Sequence, residues 1–239
     1  YLARKTDRIV VNSRGVRDFY IRYGLPTEKL EVIPNGVPPG QPSPVSRQQL
    51  LAELGLPENC SLVGLIARLW PQKRVKDAIW AADLLKVIRD DVHLLIIGDG
   101  PQRDRLRRFR DQCQIRDKVH FLGHRDDVPR ILPHLDVLWS TSAYEGQSNA
   151  IMEAMAAGVP VAATDIPGAR ELIEQGVSGF LFPVGDRASL ARYTHKLLND
   201  PELARRMGQA ARQRMRSQFS VESMVSHYAE LYRKVLESE

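Results

Sequence analysis

The sequence predicts an α/β fold: a doubly wound parallel sheet covered on both faces, with trailing C-terminal helices. Three observations carry this. Short segments rich in Val, Ile and Leu alternate with segments of helical spacing, which implies βαβ units. The apolar segments are near-continuous rather than alternating, as expected for strands buried on both sides. The end of the chain holds two helical stretches with no strand after them.

Taken in order, residues 9–11 form a short apolar strand, and Ser13 caps a helix that stops at Gly24. Residues 30–33 form a second strand, closed by Pro34-Asn35-Gly36. Residues 38–44 are rich in Pro and Gly and read as a linker between domains. A helix at 47–54 ends at Gly55. Strands follow at 61–67, 93–97, 119–122, 137–139, 159–163 and 180–182. Helices are expected at 76–88, 103–112 and 149–157, the last ended by Gly158. The closing helices span 201–218 and 221–238. In the last, Met224, Tyr228, Leu231, Tyr232 and Val235 form a stripe that packs on the domain or crosses to a partner domain. Three regions result: 1–40, 41–200 and 201–239. Ligands of such sheets bind beyond the carboxyl ends of the strands, so the loops after Ala67, Ile97, Leu122 and Trp139 are the places to look.

Composition narrows the function. With 239 residues, 43% hydrophobic and 26% charged, the chain is an ordinary globular one with a real core. The opening Tyr1-Leu2-Ala3 shows no signal-peptide pattern and reads like the middle of a protein, so a longer parent chain is expected. No run of about 18 apolar residues occurs. Two cysteines, Cys60 and Cys113, form no framework, which suits a reduced cytosolic protein. The six histidines show no ligand spacing, so no metal is expected. The net charge of +5 gathers in 103–110 and 205–216. These read as solvated helix faces. Without interleaved aromatics they do not suit nucleic acid; an anionic membrane surface suits them better, as a peripheral contact at its cytoplasmic face. A cytoplasmic monomer is expected.

Common nucleotide motifs are missing. Gly98-Asp99-Gly100 follows a strand, but the third glycine of a dinucleotide fingerprint is Arg103. Neither G-x-x-x-x-G-K-[ST] nor G-x-S-x-G occurs.

Two segments carry chemistry. Arg68 and Lys73 sit directly after the strand 61–67, and two cations at such a loop suit a diphosphate. Glu145 and Glu153 are separated by seven residues, among them Gly146, Gln147, Ser148 and Asn149. This reads as a loop turning into a helix, with Ser148, Asn149 or Gly146 as its cap. The free N–H groups of that helix start favour an anion. Eight residues of helical rise would separate the carboxylates by at most about 12 Å. A nucleoside diphosphate sugar bent across the helix start could offer hydroxyls to both.

Glu145-Gly146, the small residues after it, Glu153-Ala154-Met155-Ala156 and Gly158-Val159-Pro160-Val161 together resemble the E-x7-E block of family 4 of retaining glycosyltransferases. That family has the GT-B fold of two Rossmann-like domains. Arg68 and Lys73 match its phosphate clamp, and Ile33-Pro34-Asn35-Gly36-Val37 looks like its passage between domains. Gly98-Asp99-Gly100, Phe121-Leu122-Gly123, Gly176 and Gly179 fall in the expected order.

The resemblance implies that this chain is the C-terminal, donor-binding half. Arg68 and Lys73 would hold the diphosphate as leaving group. Glu145 and the backbone around Gly146, Gln147, Ser148 and Asn149 would hold the transferred sugar, and Glu153 the ribose. His124 and Arg125 would meet the base through their backbone. No metal or cofactor is implied. The donor would be a nucleoside diphosphate sugar, with UDP favoured over GDP and ADP, carrying a hexosyl-type group. The acceptor, a glycan, lipid or small molecule, is left open. Transfer would retain configuration, with a phosphate oxygen taking the acceptor proton. The other partner would be the family's N-terminal domain, so the chain alone should bind nucleotide weakly and turn over little. Alternatives are a nucleotide-sugar epimerase of the same fold and a non-catalytic nucleotide-binding domain. Two departures stand out: the glycine usual after the clamp lysine is Arg74, which suggests a differently shaped phosphate loop, and the acidic residue usual after Asn-Gly-Val is Pro38.

Overall fold

The structure is a computed structural model and describes residues 5–237. It opens with a small parallel unit, β1 (Ile9–Val11), α1 (Arg14–Arg22) and β2 (Leu30–Val32). Ser13 caps α1 as expected: its side chain accepts from the Val16 N–H at 3.2 Å. After the Pro-rich stretch, α2 (Arg47–Leu54) starts on a reciprocal Ser46/Gln49 capping box and ends at left-handed Gly55.

The main sheet has six parallel strands: β3 (Ser61–Ile66), β4 (Val92–Ile97), β5 (Val119–Gly123), β6 (Val137–Ser140), β7 (Val161–Thr164) and β8 (Phe180–Phe182). Their order, β5-β4-β3-β6-β7-β8, is the 3-2-1-4-5-6 order of a dinucleotide-binding fold. Side chains alternate between two cores. Leu62, Leu95, Ile97 and Leu138 join α2, α6 (Asn149–Ala157) and α9 (Pro201–Gln218) on one face. Val63, Leu65, Leu94, Ile96 and Trp139 join α3 (Val75–Lys86), α4 (Arg103–Gln112) and α8 (Arg187–Asn199) on the other. The near-continuous apolar strands therefore do what their composition predicts: both faces are buried.

Three short or late helices escape the sequence reading: α5 (Val128–Ile131), α7 (Pro167–Leu172) and α8. The strand expected from residue 159 begins at Val161 instead. Gly158 is left-handed and the Val159 N–H closes back onto the Ala154 carbonyl at 2.9 Å, so Val159 belongs to the end of α6. Pro160 has no N–H to give and contributes only its carbonyl, which accepts from Leu138 at 2.8 Å. The last helix, α10 (Val221–Glu237), buries only Leu231 among its described residues. It starts against the linker, where Val37 bridges Ser220 and the Gly36 N–H meets the Met224 sulfur at 3.1 Å. The predicted end of this helix at residue 238 lies outside the described residues.

Gly98 has φ of +127°, and a Cβ there would fall 2.1 Å from the Ala67 carbonyl oxygen. The Gly-Asp-Gly segment thus lets the loop after β3 cross closely over the end of β4, with Leu69 N–H bonded to the Asp99 carbonyl at 2.9 Å.

Candidate functional site

In this strand order the crevice lies where the order reverses, between β3 and β6. Both segments singled out from the sequence leave those two strand ends. Two hydrogen bonds knit them: the Thr141 hydroxyl donates to the Lys73 carbonyl at 2.7 Å, and the Ala143 N–H to the Gln72 carbonyl at 2.8 Å.

Across this seam Lys73 Nζ meets Glu145 Oε1 at 2.6 Å, with the side chains 18% and 14% exposed. Ser142 donates its hydroxyl to the same oxygen, and its own carbonyl accepts from the Thr164 hydroxyl at 2.6 Å. The sequence reading gave Lys73 to the diphosphate and Glu145 to the sugar beside it; the structure holds the two side chains in contact. A narrow cleft lined by Ala67, Ser140, Ser142, Ser148 and this pair opens at the strand ends. Arg68 is exposed at the rim, outside the cleft lining, and no ion pair engages it among the described residues.

Ser148 occupies the N-cap of α6, but its side chain makes no capping bond. The expectation of a serine cap is corrected to this extent. Ser148 is 9% exposed and packs into the cleft wall, so the first-turn N–H groups of α6 stay available to an anion. The segment before the helix is fixed from the small N-terminal unit. Asn35 donates its N–H to Gln147 Oε1 at 2.7 Å and its amide to Asn149 Oδ1 at 3.2 Å. Gln147 is 6% exposed and its Nε2 has no partner among the described residues; a buried donor left this way costs about 1–3 kcal/mol until an acceptor arrives. At Gly146 a Cβ would lie 2.5 Å from Asn12 Oδ1, so only glycine lets this loop pass Asn12.

Glu153 sits in the second turn of α6 and borders a separate cavity of about 260 Å³, lined also by Val37, Pro38, Val128, Pro129 and Leu132. Its side chain is exposed by area, yet the apolar wall around its carboxyl desolvates it and raises its pKa above 4.5. His124 is exposed beside Asp126, 3.2 Å away, and Arg125 is clamped on Asp127 at 2.6 Å. Sequence reading took Asn35 only as part of the passage between domains, and missed Asn12, Thr141, Ser142 and Thr164. They hold the site from other strands and loops, and no local motif marks them.

Comparison with known proteins places this geometry. The sequence model described as glycosyl transferases group 1 matches residues 46–214. The chain belongs to that family. A second model, described as glycosyltransferase family 4, matches residues 1–41. The chain is 36% identical over 189 residues to N-acetyl-alpha-D-glucosaminyl L-malate synthase of Bacillus anthracis, covering 79% of this chain and 49% of that one. It is 30% identical over 212 residues to the Escherichia coli UDP-Gal:alpha-D-GlcNAc-diphosphoundecaprenol alpha-1,3-galactosyltransferase, covering 85% and 54%. The chain thus spans about half the length of these curated relatives. Among solved structures, Anabaena HepE in complex with UDP-glucose superposes with a TM-score of 0.90 at 29% identity, over 96% of this chain and 64% of that one. The fold is that of one half of a GT-B glycosyltransferase, with its Rossmann-like parallel sheet.

Within this family frame Arg74 is informative. It adopts the left-handed conformation itself, with φ 48° and ψ 37°, which costs a non-glycine residue about 1–2 kcal/mol. Arg74 therefore takes a backbone conformation that a glycine would adopt freely. Asp77 holds the arginine in place, 2.6 Å from its Nε.

Proposed function

We propose that this chain is the donor-binding half of a retaining glycosyltransferase that uses a UDP-sugar carrying a hexosyl-type group. The observation that carries the reading is the meeting of Lys73, Glu145 and the uncapped start of α6 at the switch point of the sheet. The names of HepE with UDP-glucose and of the E. coli UDP-Gal transferase favour UDP among the nucleotides.

In this reading Arg68, Lys73 and the α6 N–H groups hold the diphosphate and stabilise the charge that grows on it as the bond to the sugar breaks. Glu145 and the backbone of Gly146 to Asn149 bind the sugar. Glu153 accepts from the ribose hydroxyls, and the backbone of His124 and Arg125 meets the base. The acceptor hydroxyl attacks on the face the diphosphate leaves and gives its proton to a phosphate oxygen, so configuration is retained without a metal in any step. The Lys73–Glu145 contact adds a coupling: a phosphate that draws Lys73 away frees the Glu145 carboxylate for a sugar hydroxyl. Residues 1–40 then belong to the acceptor-side domain, and α10 returns toward it. The division of the two family matches between residues 41 and 46 supports this partition.

Calorimetric titration of the chain with UDP, GDP and ADP tests the proposal. UDP is expected to bind, with GDP and ADP weaker by about tenfold, a difference of 1.4 kcal/mol. No heat from any of the three at millimolar concentration would sink it.

A further inference from the structure

A second cavity lies apart from the donor cleft. It has about 540 Å³ and lies between the starts of α3 and α8 and the length of α4. Its lining shares no residue with the cleft that holds Lys73 and Glu145. Five cations, Arg74, Lys76, Arg105, Arg108 and Arg187, face one carboxylate, Asp77.

That carboxylate organises the wall. Asp77 is buried, with its side chain 8% exposed, and each of its oxygens takes the Nε of a different arginine, Arg74 at 2.6 Å and Arg187 at 2.8 Å. Both guanidiniums are thus oriented through Nε, which leaves their terminal NH2 groups for a further acceptor. Arg187 is held again over the Trp80 ring at 4.5 Å and Lys76 over Phe109 at 4.4 Å. Arg105 and Arg108 stand exposed on α4 with no ion pair among the described residues. Leu106 and Phe109 supply an apolar floor, and Gln102 and Gln112 supply amides. Surplus positive charge, an apolar floor and two amides match a phosphate joined to a polyol.

We propose that this cavity binds a phosphomonoester, a sugar phosphate or a phospholipid headgroup, at a site separate from the donor diphosphate. It gives a role to the basic 103–110 stretch that the donor site does not use. Arg74 adjoins Lys73 in the chain, so an occupant of this cavity bears on the phosphate loop from its outer side.

The test uses the whole chain and the exposed double variant Arg105→Gln/Arg108→Gln, with Lys76→Gln as an independent second probe. Hexose 6-phosphate is titrated by calorimetry, and vesicles of phosphatidylcholine with roughly a third phosphatidic acid are assayed by co-sedimentation. Saturable binding of the sugar phosphate, weakened about tenfold or more in each variant with UDP affinity unchanged, supports a soluble ligand; about tenfold is the worth of one lost charge-assisted contact. Vesicle binding lost in the variants, without sugar phosphate binding, supports the headgroup. Binding that the variants leave unchanged, or binding of neither probe, overturns the proposal.

Discussion

Replacing Lys73 by methionine would leave the Glu145 carboxylate, 14% exposed, with the Ser142 hydroxyl as its remaining hydrogen-bond partner. Two unit charges 2.6 Å apart attract by about 6 kcal/mol at an effective dielectric of about 20. Desolvation and side-chain ordering oppose most of this. Stranding one partner of a fully buried pair costs about 3–5 kcal/mol; for this partly buried pair about 2–3 kcal/mol is expected. Glu145→Gln should cost less, about 1 kcal/mol, because a lysine head can swing to water on its long stem. In the Lys73→Met background the second change removes the stranded charge and recovers about 1 kcal/mol, so the double variant should lose only about 1–2 kcal/mol, a coupling of about 2 kcal/mol. Urea unfolding of the three variants at low salt measures this, and Lys73→Met should also lower the thermal midpoint by about 4–12 °C for a chain of this size. A coupling below about 0.5 kcal/mol would refute the contact. Glu145→Gln further releases Lys73 and removes a negative charge beside the phosphate loop, so it should tighten binding of free UDP. Weaker binding would show that Glu145 touches the nucleotide itself.

Two further outcomes follow from titrating groups. Glu153→Ala should weaken UDP by about tenfold without unfolding the chain. Since burial raises the Glu153 pKa, its folded form favours the proton: its effect on stability is lost as pH rises from the ordinary glutamate value through the raised one. UDP affinity in calorimetry should therefore rise over that interval, and a profile identical in Glu153→Gln would disprove the ribose role. His93 Nδ1 and His120 Nε2 lie 2.9 Å apart between β4 and β5. Burial first, then His93 and Arg110, press the His120 pKa down to about 4, and burial also lowers that of His93. The unfolded chain takes up these protons first, so stability should fall between about pH 6.5 and 4, by on the order of 1–2 kcal/mol after allowance for partial exposure. Urea titrations at stepped pH should show that slope, and His120→Gln should flatten it; an equal slope in the variant would place the acid sensitivity elsewhere.

The strands were legible because each is a block of branched apolar residues closed by a glycine or polar loop, and the parallel order followed from the alternation with helices. α8 was hidden although Leu190, Ala191, Thr194 and Leu197 bury one face: most of its other positions are polar, and it runs into α9 with only Asp200 between. α5 and α7 are four and six residues long, too short for periodicity to declare. In the site, spacing and neighbouring small residues exposed Glu145 and Glu153, and strand ends exposed Arg68 and Lys73. Their mutual arrangement was not legible. The Lys73–Glu145 contact joins residues 72 apart, and Asn35 reaches Gln147 across 112. Such pairs depend on which strand ends the sheet sets side by side. The left-handed backbone at Arg74 was not legible either, because an arginine gives no sign of a positive φ.

Asn35 has a mechanical consequence. It lies on the passage from the small β1–β2 unit to the main sheet, and its two bonds, 2.7 and 3.2 Å long, fasten that passage to the residues that open α6. A hydrogen bond yields only a few tenths of an ångström before it weakens steeply. Any swing of the first unit about this passage must therefore carry the Gln147 and Asn149 side chains with it or break the two bonds. The opening of α6 is thereby tied to the setting of the first unit through two side chains.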